Sequence, residues 1–311
     1  MKKTTMKEMT DLIYSSDRHE TFGNIDAFIK DNVVAHEFKV RDYLMQVLEK
    51  KAVLGFDIYG YSQYKEVPQA LIPFVMKDLL NRTVSNINRY EQFLFDGKFS
   101  LTTENYIDTG DGGFVIFDTP LHAICFSIHF SIALRQFNTY VALPLTRDII
   151  KEIDIRFALT YDEVFFLEDN VYGTAIINNA RILSKDKLNR FLFDRNSNEW
   201  FLKNLNGIEI LRNISYSSLH ESENFSSYLK PGLVDDEWGV FNKKFNGGIL
   251  AFGISDCNTQ KIGVIHAKQQ EISIFNLQMQ FSLSINSESD GTVFEPLVVT
   301  VGSLNSAGLV E

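Results

Sequence analysis

The chain has few cysteines and no excess of positive charge, and each of these absences excludes a class of protein. Only two of its 311 residues are cysteines. Cys125 and Cys257 lie far apart in apolar surroundings, so neither a disulfide framework nor a zinc cluster is expected. Lysine and arginine (30 residues) are outnumbered by aspartate and glutamate (40 residues), which gives a net charge of -10. A surface of this sign does not favour binding to a nucleic-acid backbone.

Signals for membranes and for several common enzyme classes are also lacking. No run approaches the ~18 apolar residues of a membrane-spanning helix. The opening MKKTTMKEMTD has lysines but lacks the apolar core of a signal peptide. No Gly-x-x-x-x-Gly-Lys phosphate loop, Gly-x-Gly-x-x-Gly fingerprint or Ser-His-Asp spacing is present. We therefore expect a soluble, cytoplasmic protein without nucleic-acid or membrane partners, in which metal ions could still supply the positive charge of a nucleotide site.

Patterning divides the chain into three parts. Residues 1–50 combine a polar start, expected to be mobile over about 20 residues, with an amphipathic helix predicted from Asn24 to Lys51. Residues 51–204 alternate between strand-like and helix-like patterns. Residues 205–311 hold β-type runs such as LQMQFSLSINS, in which apolar and polar residues alternate from Leu277 to Ile285. Since a chain of this length is expected to form about two domains, the third part is interpreted as a smaller, β-rich domain.

The order of elements within residues 51–204 predicts the fold. The first predicted elements are a buried strand (Ala52–Ile58), a helix (Pro68–Phe93) and a hairpin around Gly110. A helix started by Thr119 and Pro120 follows, and then either one long bent strand or two strands (Ile153–Leu167). The last predicted element is a helix that begins at Gly173 and runs through the FLF of residues 191–193. This is a βαββαβ order. It predicts a ferredoxin-like α+β domain, with an antiparallel-containing sheet and helices on one face.

Two acidic residues lie where this fold would bring them together. Asp57 closes the first strand in GFDIYGYSQ, and Asp111 stands at the hairpin tip in YIDTGDGGFVIFD. Each has a local interpretation, as a helix cap or backbone-bonded acid for Asp57 and as an ordinary tight turn for Asp111. Neighbouring carboxylates repel, however, unless they are protonated or bridged by a cation such as Mg²⁺ or Mn²⁺. The backbone N–H groups after Asp57, where Gly60 leaves room, could receive a triphosphate.

Three motifs in register resemble the catalytic domain of class III nucleotide cyclases over roughly residues 50–195. They are strand-Asp-Ile-x-Gly-Tyr, Gly-Asp-Gly placed 54 residues later (111 minus 57), and NVYGTAIINNAR. The resemblance implies that Asp57, the carbonyl of Ile58 and Asp111 hold two metal ions, Mg²⁺ or Mn²⁺. These would activate the ribose 3′-hydroxyl and hold the α-phosphate while pyrophosphate leaves. It also implies that Arg181 stabilises the transition state, the alternative being a solvated helix arginine, and that two copies form a homodimer with shared active sites.

The positions that read a purine base in this family carry other residues here. Ile107 stands at the lysine position, Asn170 at the aspartate position and Ile177 at the usual asparagine position, followed by Asn178 and Asn179. Moving one place along a helix turns a side chain by about 100°, so the sequence leaves open whether Asn178 substitutes. The candidates for substrate contacts are Tyr59, Gly60, Tyr61, Ile107, Asn170, Tyr172 and Asn178.

Loss of purine contacts beside intact metal ligands resembles the pyrimidine cyclases of bacterial anti-phage (Pycsar) systems. The resemblance implies a uridylate cyclase that makes cyclic UMP and pyrophosphate from UTP, a separate effector protein that reads the product, and a sensor role for residues 205–311. UTP is favoured because no charged residue is evident for cytosine, but a cytidylate cyclase using CTP stays open. An inactive, cyclase-fold sensor is the alternative from another class. A diguanylate-cyclase or polymerase-palm relative would carry Gly-Gly-Asp/Glu-Glu-Phe where this hairpin has Gly-Asp-Gly-Gly.

The histidines do not suggest a second metal site at this stage. His122 and His129 lie seven residues apart (129 minus 122) on one predicted helix. We interpret both as core or rim residues rather than as metal ligands.

Overall fold

The structure is a computed structural model that describes residues 3–14, 37–92, 94–204, 252–267, 270–284, 296–303, 305 and 307–309. Its strands are β1 (Lys3–Thr4), β2 (Glu49–Ile58), β3 (Tyr106–Asp108), β4 (Gly112–Phe117), β5 (Ile155–Leu167), β6 (Asn170–Tyr172), β7 (Phe191–Asp194), β8 (Phe252–Ala267), β9 (Gln270–Ser284) and β10 (Pro296–Val301). Its helices are α1 (Met6–Tyr14), α2 (37–47), α3 (Glu66–Tyr90), α4 (Pro120–Asn138), α5 (Pro144–Ile150), α6 (Thr174–Lys185) and α7 (Arg195–Asn204). Among the described helices, none combines the length and the apolar character that crossing a membrane requires.

The described strands belong to one hydrogen-bonded sheet. Its main order is β10-β9-β7-β5-β2-β4-β3, while β1 and β6 pair with β5 and β8 pairs with β9. The segment β2-α3-β3-β4-α4-β5 has the predicted βαββαβ order, and its strands lie side by side as β5-β2-β4-β3. The α+β, ferredoxin-like interpretation is therefore confirmed. β2 is antiparallel to both of its neighbours, β4 and β5, whereas β7 is parallel to β5.

Helices cover both faces of the sheet, so the prediction of helices on one face was wrong. Leu54 of β2 packs in the main core with residues of α3 and α4, among them Phe126. Side chains alternate along a strand, so Val53 faces the opposite side, where it clusters with Ala175 of α6. The physical reason is the parallel pairing of β5 with β7. Parallel neighbours need a crossover connection, and α6 makes it over the face that α3 and α4 leave open.

Several predicted elements are confirmed in kind but shifted at their ends. β2 starts at Glu49, because its pairing with β5 extends back to Glu49 opposite Val164. The helix predicted from Asn24 to Lys51 therefore ends at residue 47, and its residues 24–36 lie outside the described part. α4 starts at Pro120 after Thr119, as predicted, although the Thr119 hydroxyl pairs with the His122 ring instead of capping the helix.

Two further expectations were wrong. Residues 3–14 are not simply a mobile start, since β1 pairs with the far end of β5 and α1 follows it. The helix that begins after Gly173 ends at Lys185, and the apolar run at Phe191 is strand β7 rather than more helix. The long apolar stretch before residue 167 is one strand, β5.

The β character predicted for residues 205–311 is present in β8, β9 and β10, but these strands continue the same sheet. β9 runs antiparallel to β7, with Leu277 opposite Phe191. Leu277 and Met279 are buried as the alternation predicts, yet Gln278 between them is buried as well, because this part of β9 is covered on both faces. The domain boundary near residue 205 stays a prediction, since residues 205–251 lie outside the described part.

Candidate active site

The end of β2 and the tip of the β3–β4 hairpin lie side by side. Asp57 is in register with Gly112, the residue after Asp111. The N–H of Ile58 donates a hydrogen bond of 3.1 Å to the carbonyl oxygen of Asp111. The structure thus brings together the three residues that were predicted to hold metal ions, Asp57, Ile58 and Asp111.

The glycines of the hairpin make this close approach possible. Gly110 has a φ of +93°, in the region that side chains rarely adopt, and its N–H donates to Asp108 Oδ1 at 2.8 Å. A Cβ at Gly112 would lie 2.0 Å from the carbonyl oxygen of Phe56 and 2.7 Å from the Cα of Asp57. Gly110 therefore allows the turn, and Gly112 allows the hairpin backbone to reach β2 beside Asp57.

Asp57 is engaged by an arginine of the neighbouring strand. Arg156 on β5 is in register with Asp57 and donates to both of its carboxylate oxygens, with 2.8 Å between Nη2 and Oδ2. The Nη1 of Arg156 donates to the carbonyl oxygen of Asp186, just after α6. The side chains of Asp57 and Arg156 are each 20% exposed, so the pair is largely withdrawn from water. Such bidentate pairing is geometrically specific and charge-assisted.

Negative charge exceeds positive charge around this arginine. Burial raises the pKa of the Asp57 carboxyl, the hydrogen bonds and charge of Arg156 oppose that rise, and the charges of Asp111 and Asp186 add to it. The pKa of Arg156 is raised in turn, first by its hydrogen bonds to Asp57. Three carboxylates thus lie around Arg156, and one of them, that of Asp186, is paired with a second guanidinium, that of Arg190. A place with these charges stabilises additional positive charge.

The donor set fits a hard divalent cation. The carboxylates of Asp57 and Asp111 and the carbonyl of Ile58 are oxygen donors of the kind that Mg²⁺ and Mn²⁺ accept. Arg156 bonds both carboxylate oxygens of Asp57, and each oxygen keeps a second lone pair, so an ion that bound there would share the carboxylate with Arg156 or replace one of its hydrogen bonds. An ion at this place would therefore compete with Arg156 for the charge of Asp57.

Residues that follow β2 form a tight turn rather than the start of a long helix. The N–H of Tyr59 donates to the carbonyl of Asp154 at 2.9 Å, and the side chain of Tyr59 is exposed. Gly60 has a φ of +70° and precedes the 3₁₀ turn Tyr61–Gln63, in which Tyr61 packs partly against the main core. The long helix α3 begins only at Glu66. The expected helix start directly after Asp57 is thus replaced by this turn.

The asparagines of α6 have different roles in the structure. Asn179 is fully buried, and its Nδ2 donates to the carbonyl oxygens of Val53 (2.7 Å) and Ala158 (2.9 Å), which joins α6 to the two central strands. Asn178 accepts a hydrogen bond of 3.2 Å from Nη1 of Arg181. Ile177, at the family's asparagine position, is exposed. Asn178 therefore orients Arg181, and Asn179 belongs to the core.

Asn170 and Tyr172, two of the positions expected to contact the base, lie far from Asp57 within one chain. Asn170 is exposed on β6 and opposite Leu167, which stands eleven residues (167 minus 156) along β5 from Arg156. At about 3.3 Å per residue this is roughly 35 Å of strand. Tyr172 stacks on Phe165, with 5.5 Å between ring centroids. The structure does not bring Asn170 to Asp57 in the same copy.

Ile107, on β3, is a third position expected to contact the base. It is opposite Phe114 on the hairpin and packs partly against the cluster that contains Val171 of β6. Ile107 thus belongs with the β6 side of the molecule, although it is only four residues before Asp111 in the chain.

Sequence reasoning missed Arg156 and Asp186. An arginine inside the apolar strand IDIRFALT is a usable signal, because a charged side chain in a buried strand needs a partner. Asp186 contacts Arg156 through its backbone carbonyl, and a backbone contact leaves no trace in the side-chain pattern.

Comparison with known proteins gives weak structural similarity to nucleotide cyclases. No family model and no curated protein matches the chain. An adenylate/guanylate cyclase/hydrolase from Silicibacter pomeroyi is 13% identical, with a TM-score of 0.39 over 74% of this chain and 96% of the other. The adenylyl cyclase CyaB from P. aeruginosa is 13% identical, with a TM-score of 0.38 over 79% and 99%. The guanylate cyclase domain of RhGC from Catenaria anguillulae, in complex with GTP, is 10% identical, with a TM-score of 0.41 over 74% and 96%. Similarity at this level establishes neither a family nor an activity for the chain.

Proposed function

We propose that the chain is a metal-dependent nucleotidyl cyclase that converts UTP to 3′,5′-cyclic UMP and pyrophosphate. The observation that supports this most is the register of Asp57 with Gly112, which places Asp57 and Asp111 next to each other. Two carboxylates and a strand-end carbonyl form a donor set for Mg²⁺ or Mn²⁺. Two neighbouring acids repel each other, and a bound cation would relieve that repulsion.

Each residue of the site has a chemical role in this proposal. Asp57, the carbonyl of Ile58 and Asp111 hold the ions, which when bound lower the pKa of the ribose 3′-hydroxyl and draw charge from the α-phosphate. Arg156 would turn some of its planar donors from Asp57 to the phosphates. Arg181, oriented by Asn178, supplies a fixed positive charge to the transition state.

We further propose that two copies share each active site. The roughly 35 Å of strand between the Asp57 end and Asn170 is far longer than a nucleoside triphosphate. A nucleotide held at Asp57 of one copy can therefore reach Asn170 only if that residue comes from a second copy. A homodimer joins the Asp57 end of one copy to the β6 and α6 side of the other.

Base choice rests on neutral groups. Ile107 and the exposed Asn170 offer an apolar surface and an amide, and neither supplies the charged partners that the family uses for purines. Discrimination through hydrogen bonds is lost when its partners are absent. An amide can pair with N3 of either pyrimidine, since it carries both a donor and an acceptor, and UTP is favoured over CTP because no charged residue is evident for cytosine.

By resemblance to the pyrimidine cyclases, the product would be a cytoplasmic second messenger in defence against phage, read by a separate effector protein. Residues 205–311 would then take the sensor role. The second candidate function is an inactive sensor with a cyclase fold. It is favoured by one observation, since Arg156 donates hydrogen bonds to both carboxylate oxygens of Asp57.

The test is to incubate the purified full chain with Mn²⁺ and with ATP, GTP, CTP or UTP separately, and to identify products by mass. Cyclic UMP supports the proposal, and cyclic CMP alone moves the assignment to CTP. Exclusive formation of a cyclic purine nucleotide contradicts the pyrimidine proposal, and no product from folded protein favours the sensor. Asp57→Asn and Asp111→Asn should abolish turnover, whereas Asp169→Asn, at an exposed residue with a side chain 79% exposed, should not.

A further inference from the structure

Three side chains of metal-binding types meet in the core, away from the candidate active site. Glu91 directly follows α3, and Cys125 and His129 lie one turn apart on α4. One ligand atom from each lies within 4.8 Å of those of the other two. Glu91 and Cys125 are 0% exposed and His129 is 2% exposed. The sequence predicts apolar surroundings for Cys125, whereas the structure places it beside a carboxylate and an imidazole.

The positions of the three residues suit a common ligand. Cys125 and His129 are four residues apart on a helix, so their side chains share one face. His129 Nε2 and Glu91 Oε1 are 2.9 Å apart and share a hydrogen bond across the two helices. Nδ1 of His129 is buried without a hydrogen-bond partner among the described residues. Buried polar atoms normally find a partner, but Glu91 satisfies only one of the two ring nitrogens of His129.

The surrounding core makes the cluster unusual. Phe126 and Phe130 lie on the same helix and are fully buried in the main core. A carboxylate and a histidine in such surroundings carry a desolvation penalty that only close partners offset. A hydrogen-bonded pair of Glu91 and His129 would offset this penalty and fix how α3 packs on α4. Such a pair alone would not require the thiol of Cys125 beside it.

We propose that Glu91, Cys125 and His129 bind one transition-metal ion of the Zn²⁺ type, separate from the ions of the proposed cyclase reaction. Sulfur, nitrogen and oxygen ligands together are a Zn²⁺ set, whereas Mg²⁺ disfavours a thiolate. Three protein ligands leave a fourth position for water. Binding would release the proton that Glu91 and His129 now share and the proton of the Cys125 thiol, and the ion would tie the end of α3 to α4. The binding site stands independently of the proposed enzymatic function.

The experiment uses the reduced full chain, loaded with Co²⁺ as a spectroscopic probe in the presence of excess Mg²⁺. We expect about one Co²⁺ per chain, a thiolate-to-cobalt charge-transfer band in the near ultraviolet, and displacement of the cobalt by Zn²⁺. Cys125→Ser should abolish the charge-transfer band, and His129→Asn and Glu91→Gln should weaken binding by roughly tenfold or more. Asp57→Asn should leave the spectrum unchanged, which separates this site from the candidate active site.

Two matched controls come from the same chain. Cys257→Ser removes the other thiol, and His122→Asn removes a histidine of α4 whose ring pairs with Thr119 and with the carbonyl of Leu94 instead. Both should keep the spectrum. The proposal is overturned if folded wild-type protein binds no cobalt at one per chain, if Cys125→Ser keeps the band, or if the controls lose it equally. Should Cys125→Ser fail to fold, a wild-type thermal midpoint that does not rise with Zn²⁺, together with metal-free protein by elemental analysis, overturns it equally.

Discussion

Replacing Gly112 by alanine tests whether the close approach of the hairpin builds the candidate active site. The new Cβ would lie 2.0 Å from the carbonyl oxygen and 2.9 Å from the carbonyl carbon of Phe56, and 2.7 Å from the Cα of Asp57. Ordinary contacts between carbon and oxygen are about 3.3 Å or longer. These atoms belong to the backbone of β2, which is held by neighbours on both sides. The strands must therefore separate by about 1 Å or more beside Asp57.

The magnitude follows from what separation disturbs. Overpacking costs about 1–3 kcal/mol, and more where backbone has to move. Each ladder hydrogen bond that is lost, such as that from Ile58 N–H to Asp111, adds about 1 kcal/mol. We expect Gly112→Ala to lower the free energy of unfolding by about 3–5 kcal/mol, a large part of a typical total. Gly110→Ala is the matched control. It has a φ of +93° but nothing within 4 Å of its added Cβ, so it should cost only about 1–2 kcal/mol.

The assay is equilibrium unfolding in urea for wild type and both variants, with linear extrapolation to water. In the folded fraction, Gly112→Ala should also lose Mn²⁺-dependent turnover, because the hairpin no longer places Asp111 beside Asp57. The reasoning is refuted if Gly112→Ala unfolds at the same midpoint as wild type, or at the same midpoint as Gly110→Ala.

Three further predictions concern buried polar groups. Arg156→Met leaves Asp57 half-buried without its partner and should lower the thermal midpoint by an amount equivalent to roughly 2 kcal/mol. Mn²⁺ should then stabilise this variant more than wild type, and equal stabilisation of both would contradict competition between arginine and ion. Burial raises the pKa of Asp194 from 3.8 to about 6. The protonated form is thus favoured in the fold, and its stabilising contribution is complete below about pH 4 and lost as pH rises through 6. That loss corresponds to about 3 kcal/mol. The stability of Asp194→Asn relative to wild type, measured by urea unfolding, should therefore rise between about pH 4 and 7. If the difference in unfolding free energy between the two proteins stays constant over this range, Asp194 does not titrate there. Asn179→Asp removes both amide N–H donors to the strand carbonyls, and we expect it to lower the free energy of unfolding by about 3 kcal/mol or more. Urea unfolding measures this change, and a decrease below about 1 kcal/mol would contradict the described hydrogen bonds.

The parts of the fold that could be predicted from sequence are those that a local pattern determines. The apolar run before Asp57, the glycine-rich turn and the Thr119-Pro120 helix start each specify one element, and their order restricts the topology to few choices. Topology then makes β2 and the hairpin neighbours, so the approach of Asp57 to Asp111 was predictable without any knowledge of distances. The prediction needed only that the first strand lies beside the hairpin, as it does.

What could not be predicted depends on register and on which face an element covers. The register of β5 decides that Arg156 meets Asp57, and a shift by one residue would turn the arginine to the other face. The face covered by α6 follows from a crossover, which hydrophobic periodicity does not encode. Glu91 reaches Cys125, 34 residues further along the chain (125 minus 91), only because α3 and α4 pack together. Contacts of this kind are properties of the assembled tertiary structure.

Arg156 resolves an electrostatic conflict that the proposed reaction would otherwise create. A site that binds cations between substrate molecules must keep its carboxylates close while no ion is bound, and like charges then repel. Arg156 supplies the missing charge through its hydrogen bonds to Asp57. It is held from its other side by the carbonyl of Asp186, whose own carboxylate is taken by Arg190 at 2.6 and 2.9 Å. Because Nη1 bonds the carbonyl of Asp186 while Nε and Nη2 bond Asp57, an ion that weakened the bonds to Asp57 would still leave Arg156 a backbone partner.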